Sequence, residues 1–394
     1  MNQSATGAST PVRPSQADVA RIEGEVSAIP DIQAMLVNNA PDLKVRDRVA
    51  HQYQIAGGKI ALKIAAQLPG NLEGVGLFRP DAEYTGIGRI STGLGCPHIE
   101  TDPDFLGIRL AFLTPAGARV DFLGINDPTA PTDDHPRFMA VLAATAEAAG
   151  TKAVIGSGVG RLRLADLLAT NLRLVAALVR RIGWVGGIAT ALHVTKQTSR
   201  TARSTTAYQT YWTGIVETGG VPGKFVIEPL RDENGLRPLE PGERYLSKEW
   251  RERQARGPIE FNLHWIPYIS EAETPMIALT RPWREQRHLV GRITFPKLEP
   301  ESEEARSWSA LAAEMGANSG NWVRDRANSI PLPGTAFGVA RLFAYRKSQD
   351  GRGVLPEAGY AHVFQTGTID ADLAAELARR RSDKRRAGHV DSAS

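Results

Sequence analysis

From Val339 to Asp350 the chain runs without glycine or proline, after a segment carrying Pro331, Pro333, Gly334 and Gly338 and before Gly351. That punctuation predicts a loop followed by a helix. On a helix, Arg341 and Tyr345 are four residues apart and share one face. A permanently charged guanidinium beside a phenol favours the phenolate, and a phenolate is a hard anionic ligand that suits ferric iron. Such a pair is common on amphipathic helices, so its weight depends on what else the chain carries.

Much of the remainder reads as short strands. Segments 86–92, 108–112, 118–123, 208–215, 223–228, 261–268 and 288–295 carry β-type patterning. The second and third flank Thr114-Pro115-Ala116-Gly117 as a hairpin. Helical spacing is read over 18–37, broken at Pro30, and over 60–68, ended by Pro69-Gly70. A further helix is read over Phe138 to Ala149. From Arg161 to Val194 the chain is largely apolar but interrupted by Arg173, Arg180 and Arg181, so it is not a charge-free membrane span. Core helices are expected there; a mobile apolar lid or a membrane-facing surface is the sharper alternative.

With 394 residues and 42% hydrophobic residues, the chain can bury a substantial core. The net charge of +4 owes much to the C-terminal run Arg379-Arg380-Arg381 and Lys384-Arg385-Arg386, and no basic face with motif support suggests a nucleic-acid partner. A single cysteine, Cys96, excludes an intrachain disulfide. The N-terminus lacks a charged-then-apolar signal pattern, so a cytoplasmic location is expected. Residues 1–17 read as a flexible tail, 18–375 as the main domain with a helical insertion at about 135–204, and 376–394 as a disordered basic tail. Gly156-Ser157-Gly158-Val159-Gly160 reads as a linker, Cys96-Pro97-His98 as too sparse for a metal site, and Asp133-Asp134-His135 as a polar loop before a helix.

Arg341-Leu342-Phe343-Ala344-Tyr345, followed by Ser348-Gln349 and Arg352, resembles the proximal haem motif of the haem catalase family. Lys347 stands where that family usually has aspartate. The resemblance implies Tyr345 as axial iron ligand, Arg341 as its partner and Arg352 at a haem propionate. Upstream, Arg48-Val49-Ala50-His51 is similar to the stretch ending in the family's distal histidine, which moves the peroxide proton. Arg89-Ile90-Ser91-Thr92 resembles the family's Arg-Phe-Ser-Thr, where the serine holds that histidine. Arg48 and Arg89 would then meet propionates. In Gly124-Ile125-Asn126-Asp127-Pro128 an ungapped alignment puts Ile125 at the position of the family's distal amide, with Asn126 next. Either the loop shifts to bring Asn126 over the iron, or the amide is absent.

The resemblance implies an α+β fold, an antiparallel β-barrel of catalase type with surrounding helices and a buried haem b. It also implies a compact relative lacking the trailing helical region of full-length catalases. The expected function is haem-dependent cleavage of hydrogen peroxide or an organic hydroperoxide, as a peroxidase more than as an efficient catalase. The alternatives are a fatty-acid hydroperoxide isomerase, dehydratase or lyase of the allene oxide synthase type, or a non-catalytic haem-binding protein. Peripheral membrane contact and a homo-oligomer are compatible with it.

Overall fold

The structure, a computed structural model, describes residues 14–39, 48–51, 53–93, 100, 104–148, 164–198, 205–230, 245–284, 286–321, 335–350 and 352–386. Cys96-Pro97-His98, the glycine run at 156–160, the loop residues Pro331, Pro333 and Gly334, and 387–394 lie outside them.

Strand β1 (Gln54–Ile64) shows the alternation that builds the fold. Ile60, Leu62 and Ile64 are buried while Ala61 and Lys63 are exposed, the period of a strand with one face on a core. The helix expected over 60–68 is therefore corrected: a short apolar run satisfies either period, and pairing decides. β1 is hydrogen-bonded on both sides, to β2 (Glu83–Thr92) and to β9 (His288–Phe295), so its backbone groups are met by neighbouring strands.

β3 (Leu106–Leu113), β4 (Arg119–Ile125), β5 (Tyr211–Thr213), β7 (Val221–Pro229) and β8 (Ile259–Pro267) complete an antiparallel barrel of eight strands. It closes where β5 pairs with β7, leaving no free edge. β6 (Val216–Thr218) adds a short hairpin on β7. The β3–β4 turn has the predicted form, with Gly117 at φ +79°. One side of the strands fills the barrel: Ile90, Leu110, Phe122, Phe225, Phe261 and Trp265 belong to a single buried cluster.

Helices cover the outside. α6 (Glu303–Glu314), α8 (Val363–Thr366) and α9 (Ala371–Arg386) pack through Trp308, Leu311, Val363, Leu373 and Leu377 onto Ile87 and Ala111. α9 crosses the expected tail boundary at 376. Leu377 is buried, and Lys384 pairs with Glu314 at 2.6 and 2.8 Å, so residues 376–386 are a packed helix rather than a disordered tail. α5 (Tyr245–Arg256) sends Leu246 and Trp250 into the barrel cluster.

At the other side, α1 (Gln16–Glu25) begins with a capping box, Ser15 and Asp18 exchanging hydrogen bonds. Pro30 lies in the first turn of α2 (Ile29–Asn39), where its missing N–H costs nothing. These helices back α7 (Ala336–Asp350): Ile22 and Val26 pack on Val339 and Ala340. α3 (His135–Ala148) begins at the expected polar loop, and His135 pairs with Glu25 of α1.

α4 (Leu164–Thr198) is not one rod. Ile182 and Gly183 leave helical geometry, with Gly183 at φ +77°. A Cβ on Gly187 would meet the backbone of Val179, although eight residues of straight helix span about 12 Å. The two halves thus fold back into a helical hairpin, and Ala177, Leu178 and Ala191 seat it on Val141 and Ala144 of α3.

Candidate functional site

Strand register assembles the site. Side chains that do not enter the barrel project from its outer face, and cross-strand pairing aligns them in rows. Ser91 pairs with Gly107, Gly107 with Ile125, and Ile125 with Trp212. One step along, Arg89 pairs with Arg109, and Arg109 with Leu123. These rows floor a cavity of ≈ 270 Å³. Phe138, Val141 and Leu142 of α3 wall it, with Arg341, Tyr345 and Gln349 of α7 and Arg352 just beyond.

His51 enters on the segment leading into β1. Its backbone is left-handed, at φ +59°, which is uncommon for a residue with a side chain. The conformation is held by His51 N–H donating to Gly93 O at 2.9 Å and by Arg89 Nη2 donating to His51 O at 2.9 Å. The ring then lies directly against Gly107, where any Cβ would collide with Cε1 and Nδ1. Nδ1 lies 3.1 Å from Thr92 O and 3.3 Å from Ser91 Oγ. A carbonyl oxygen only accepts, so Nδ1 carries the proton and Nε2 of the neutral ring is left as a base. Burial, with the nearby Arg89 charge, pushes the imidazole down to about 4, so it is neutral at pH 7.

The arginines are anchored rather than solvated. Arg89 Nε donates to Gln54 Oε1 at 3.2 Å, and Gln54 is held by Ser309 of α6. Arg48 donates to Ala313 O at 2.7 Å, and Arg352 Nε to Ser348 O at 2.7 Å. Arg109 donates to Met315 O and Ala312 O, each at 3.0 Å, while its buried Nε has no partner among the described residues. Burial lowers its pKa to about 10, still leaving it charged at pH 7.

The cavity thus brings together Arg48, His51, Arg89, Ser91, Arg341, Tyr345 and Arg352. Two expectations change. Asn126 does not line the cavity. β4 continues unshifted through Ile125, which faces the cavity, and alternation turns the next side chain away. Asn126 Oδ1 instead accepts from Leu106 N at 2.8 Å, and Nδ2 donates to Gln209 Oε1 at 3.2 Å. Arg341 makes no hydrogen bond to Tyr345 among the described residues; its long guanidinium reaches Gly214 beyond β5, where a Cβ would strike Nη1. Sharing a helix face brought both to the cavity without making them partners.

Sequence patterns missed Arg109 and Lys224. Lys224, on β7, is buried with its Nζ 4.9 Å from the Trp283 ring. Desolvation, reinforced by Arg341 and opposed by Asp127, lowers it to about 8. The only available signal was a cation interrupting each apolar strand.

The closed, helix-wrapped barrel of eight antiparallel strands matches solved structures in its fold. A bacterial catalase superposes with TM-score 0.56 at 16% identity, covering 93% of this chain and 66% of its own. The chain has the catalase fold. A fungal catalase (TM-score 0.52, 15% identity, 84% of this chain and 61% of its own) and catalase A from Saccharomyces cerevisiae (0.53, 14%, 82% and 64%) share the catalase fold with it. The chain thus spans under two thirds of the length of these catalases. No protein-family model matches the sequence, and no curated protein does. In this chain the cavity lies between the outer face of the barrel and helices α3 and α7.

Proposed function

We propose that this catalase-fold protein binds haem b in the cavity and cleaves the O–O bond of hydrogen peroxide or an organic hydroperoxide, as a peroxidase more than as an efficient catalase. The observation that carries this is the convergence of His51 and Tyr345 on one cavity ringed by Arg48, Arg89, Arg109 and Arg352. The donor set suits the group. Tyr345 offers a phenol oxygen for ferric iron, as in catalases. Buried propionates would require cationic partners, and Arg109 has a buried Nε–H to spare. Val49, Ile125 and Phe138 offer apolar surface for a macrocycle.

When bound, the haem would supply the redox-active iron at which the peroxide bond breaks. The chain's own residues do the rest. His51 Nε2, unprotonated at neutral pH, accepts the hydroperoxide proton and returns it to the departing oxygen. Thr92 O and Ser91 Oγ hold Nδ1–H, so the ring keeps one tautomer through the exchange. Arg89 fixes the backbone of the same histidine. With Ile125 on the cavity and Asn126 turned away, no amide from this turn is available to hold a second peroxide, which supports donor oxidation over dismutation.

The apolar wall of Phe138, Val141 and Leu142 favours a second reading, rearrangement of a fatty-acid hydroperoxide without added reductant. The deciding experiment is titration of the purified chain with haemin, followed by its visible spectrum. Three assays come next: oxygen release from hydrogen peroxide, peroxide-dependent oxidation of a donor, and conversion of a lipid hydroperoxide alone. A chain that stays colourless with haemin defeats the proposal; a haem-loaded chain inert in all three would be a haem carrier.

A further inference from the structure

The helical hairpin of α4 turns an apolar surface outwards. Trp184, Val185, Ile188 and Leu192 fall on one side of its second half, and all are exposed, Trp184 by 75% and Val185 by 86%. Leu172, in the first half, is 67% exposed. The opposite side, Thr190, Ala191, Val194 and Gln197, is buried. This inverts the usual arrangement for a surface helix, whose apolar stripe faces the core. Stretches this large on an otherwise ordinary surface mark an interaction site.

Charge indicates which one. α4 carries Arg173, Arg180, Arg181 and Lys196, all exposed, against one acidic residue, Asp166, although the whole chain carries only +4. Within the hairpin, Arg180 and Arg181 share a single carboxylate, Glu147. An apolar strip with a basic surround and a tryptophan at the tip matches an anionic lipid surface. Leu172–Thr198 is long and apolar enough to cross a membrane, but the break at Ile182-Gly183 folds it in two and α3 holds one side. It is shaped to lie in an interface, not to span.

We infer that the outward face of the α4 hairpin docks the protein onto anionic bilayers. The hairpin's inner side joins this face to the cavity. Gln197 Nε2 donates to Asp127 Oδ1 at 3.1 Å and to Thr129 O at 3.0 Å, and His193 Nε2 lies 3.1 Å from Ala130 O. Asp127, Thr129 and Ala130 line the cavity. Docking would place the cavity one helical layer from the lipid.

The test is co-sedimentation of the full chain with phosphatidylcholine vesicles, with and without phosphatidylglycerol, at low and high salt. Binding is expected only with the anionic lipid, and it should weaken with salt. The double variant Trp184→Ser, Val185→Ser should bind at least about tenfold more weakly, with an unchanged melting temperature because both side chains are already exposed. No binding to anionic vesicles, or binding undiminished in the variant, overturns the inference. So does a native dimer, without vesicle affinity, that the same substitutions dissociate, since the face would then belong to a second copy. The assay requires no haem, so its failure and that of the haem proposal are separable.

Discussion

Gly107→Ala tests the central geometry with one methyl group. Gly107 pairs with Ser91 across the β2–β3 ladder and lies under the His51 ring. The new Cβ would fall well inside 3.0 Å of Cε1 and Nδ1, whereas ordinary contact begins at 3.4 Å. The ring must therefore retreat by about 1 Å, a displacement that can cost on the order of 100-fold in rate when the group transfers a proton. It would also loosen the Nδ1 contacts to Thr92 and Ser91, worth about 1–2 kcal/mol of stability. The assay is kcat/KM for peroxide-dependent donor oxidation by the haem-loaded protein, with the visible spectrum as a separate measure of haem uptake. A drop of about two orders of magnitude with haem uptake retained is expected. Gly58→Ala, whose Cβ would meet nothing within 4 Å, is the control and should leave both unchanged. Activity within about threefold of wild type in Gly107→Ala would refute His51 as the proton carrier.

Tyr345→Phe should abolish haem uptake or shift its visible spectrum, because the phenyl ring offers no oxygen; an identical spectrum removes Tyr345 as ligand. The half-buried, neutral His51 makes folding pH-dependent. Its pKa is lowered from 6.5 to about 4, so the unfolded chain binds the proton first, and stability should fall as pH drops from about 6.5 to about 4. The loss is at most about 3 kcal/mol, and His51→Gln should flatten that part of the denaturation profile. Asn126→Ala strips the acceptor from Leu106 N and should cost about 1–3 kcal/mol of stability while leaving peroxide kinetics within about threefold. A large kinetic loss in a stable Asn126→Ala would restore it as the distal amide.

Local chemistry carried much of this molecule into view. The breaker-free run holding Arg341 and Tyr345 is a helix, and the alternating segments are strands, because both periods are set by the backbone within a few residues. His51, Ser91 and Arg89 were singled out by short stretches that resemble catalase segments, and all three line the cavity. Other features depended on partners far along the chain. The run at 60–64 fits helix or strand until β2 and β9 pair with it on either side. Leu373 and Leu377 sit four apart just before the basic run that starts at Arg379, and only their burial against α6 and α8 makes this segment a packed helix. Whether Ile125 or Asn126 meets the cavity is a matter of strand parity, fixed by the register of β4 on β3. Arg109 joins Arg89 for the same reason, through a ladder that no single strand encodes. The chain by itself determined which side chains were available; cross-strand register, a long-range consequence of barrel closure, decided which of them face one another.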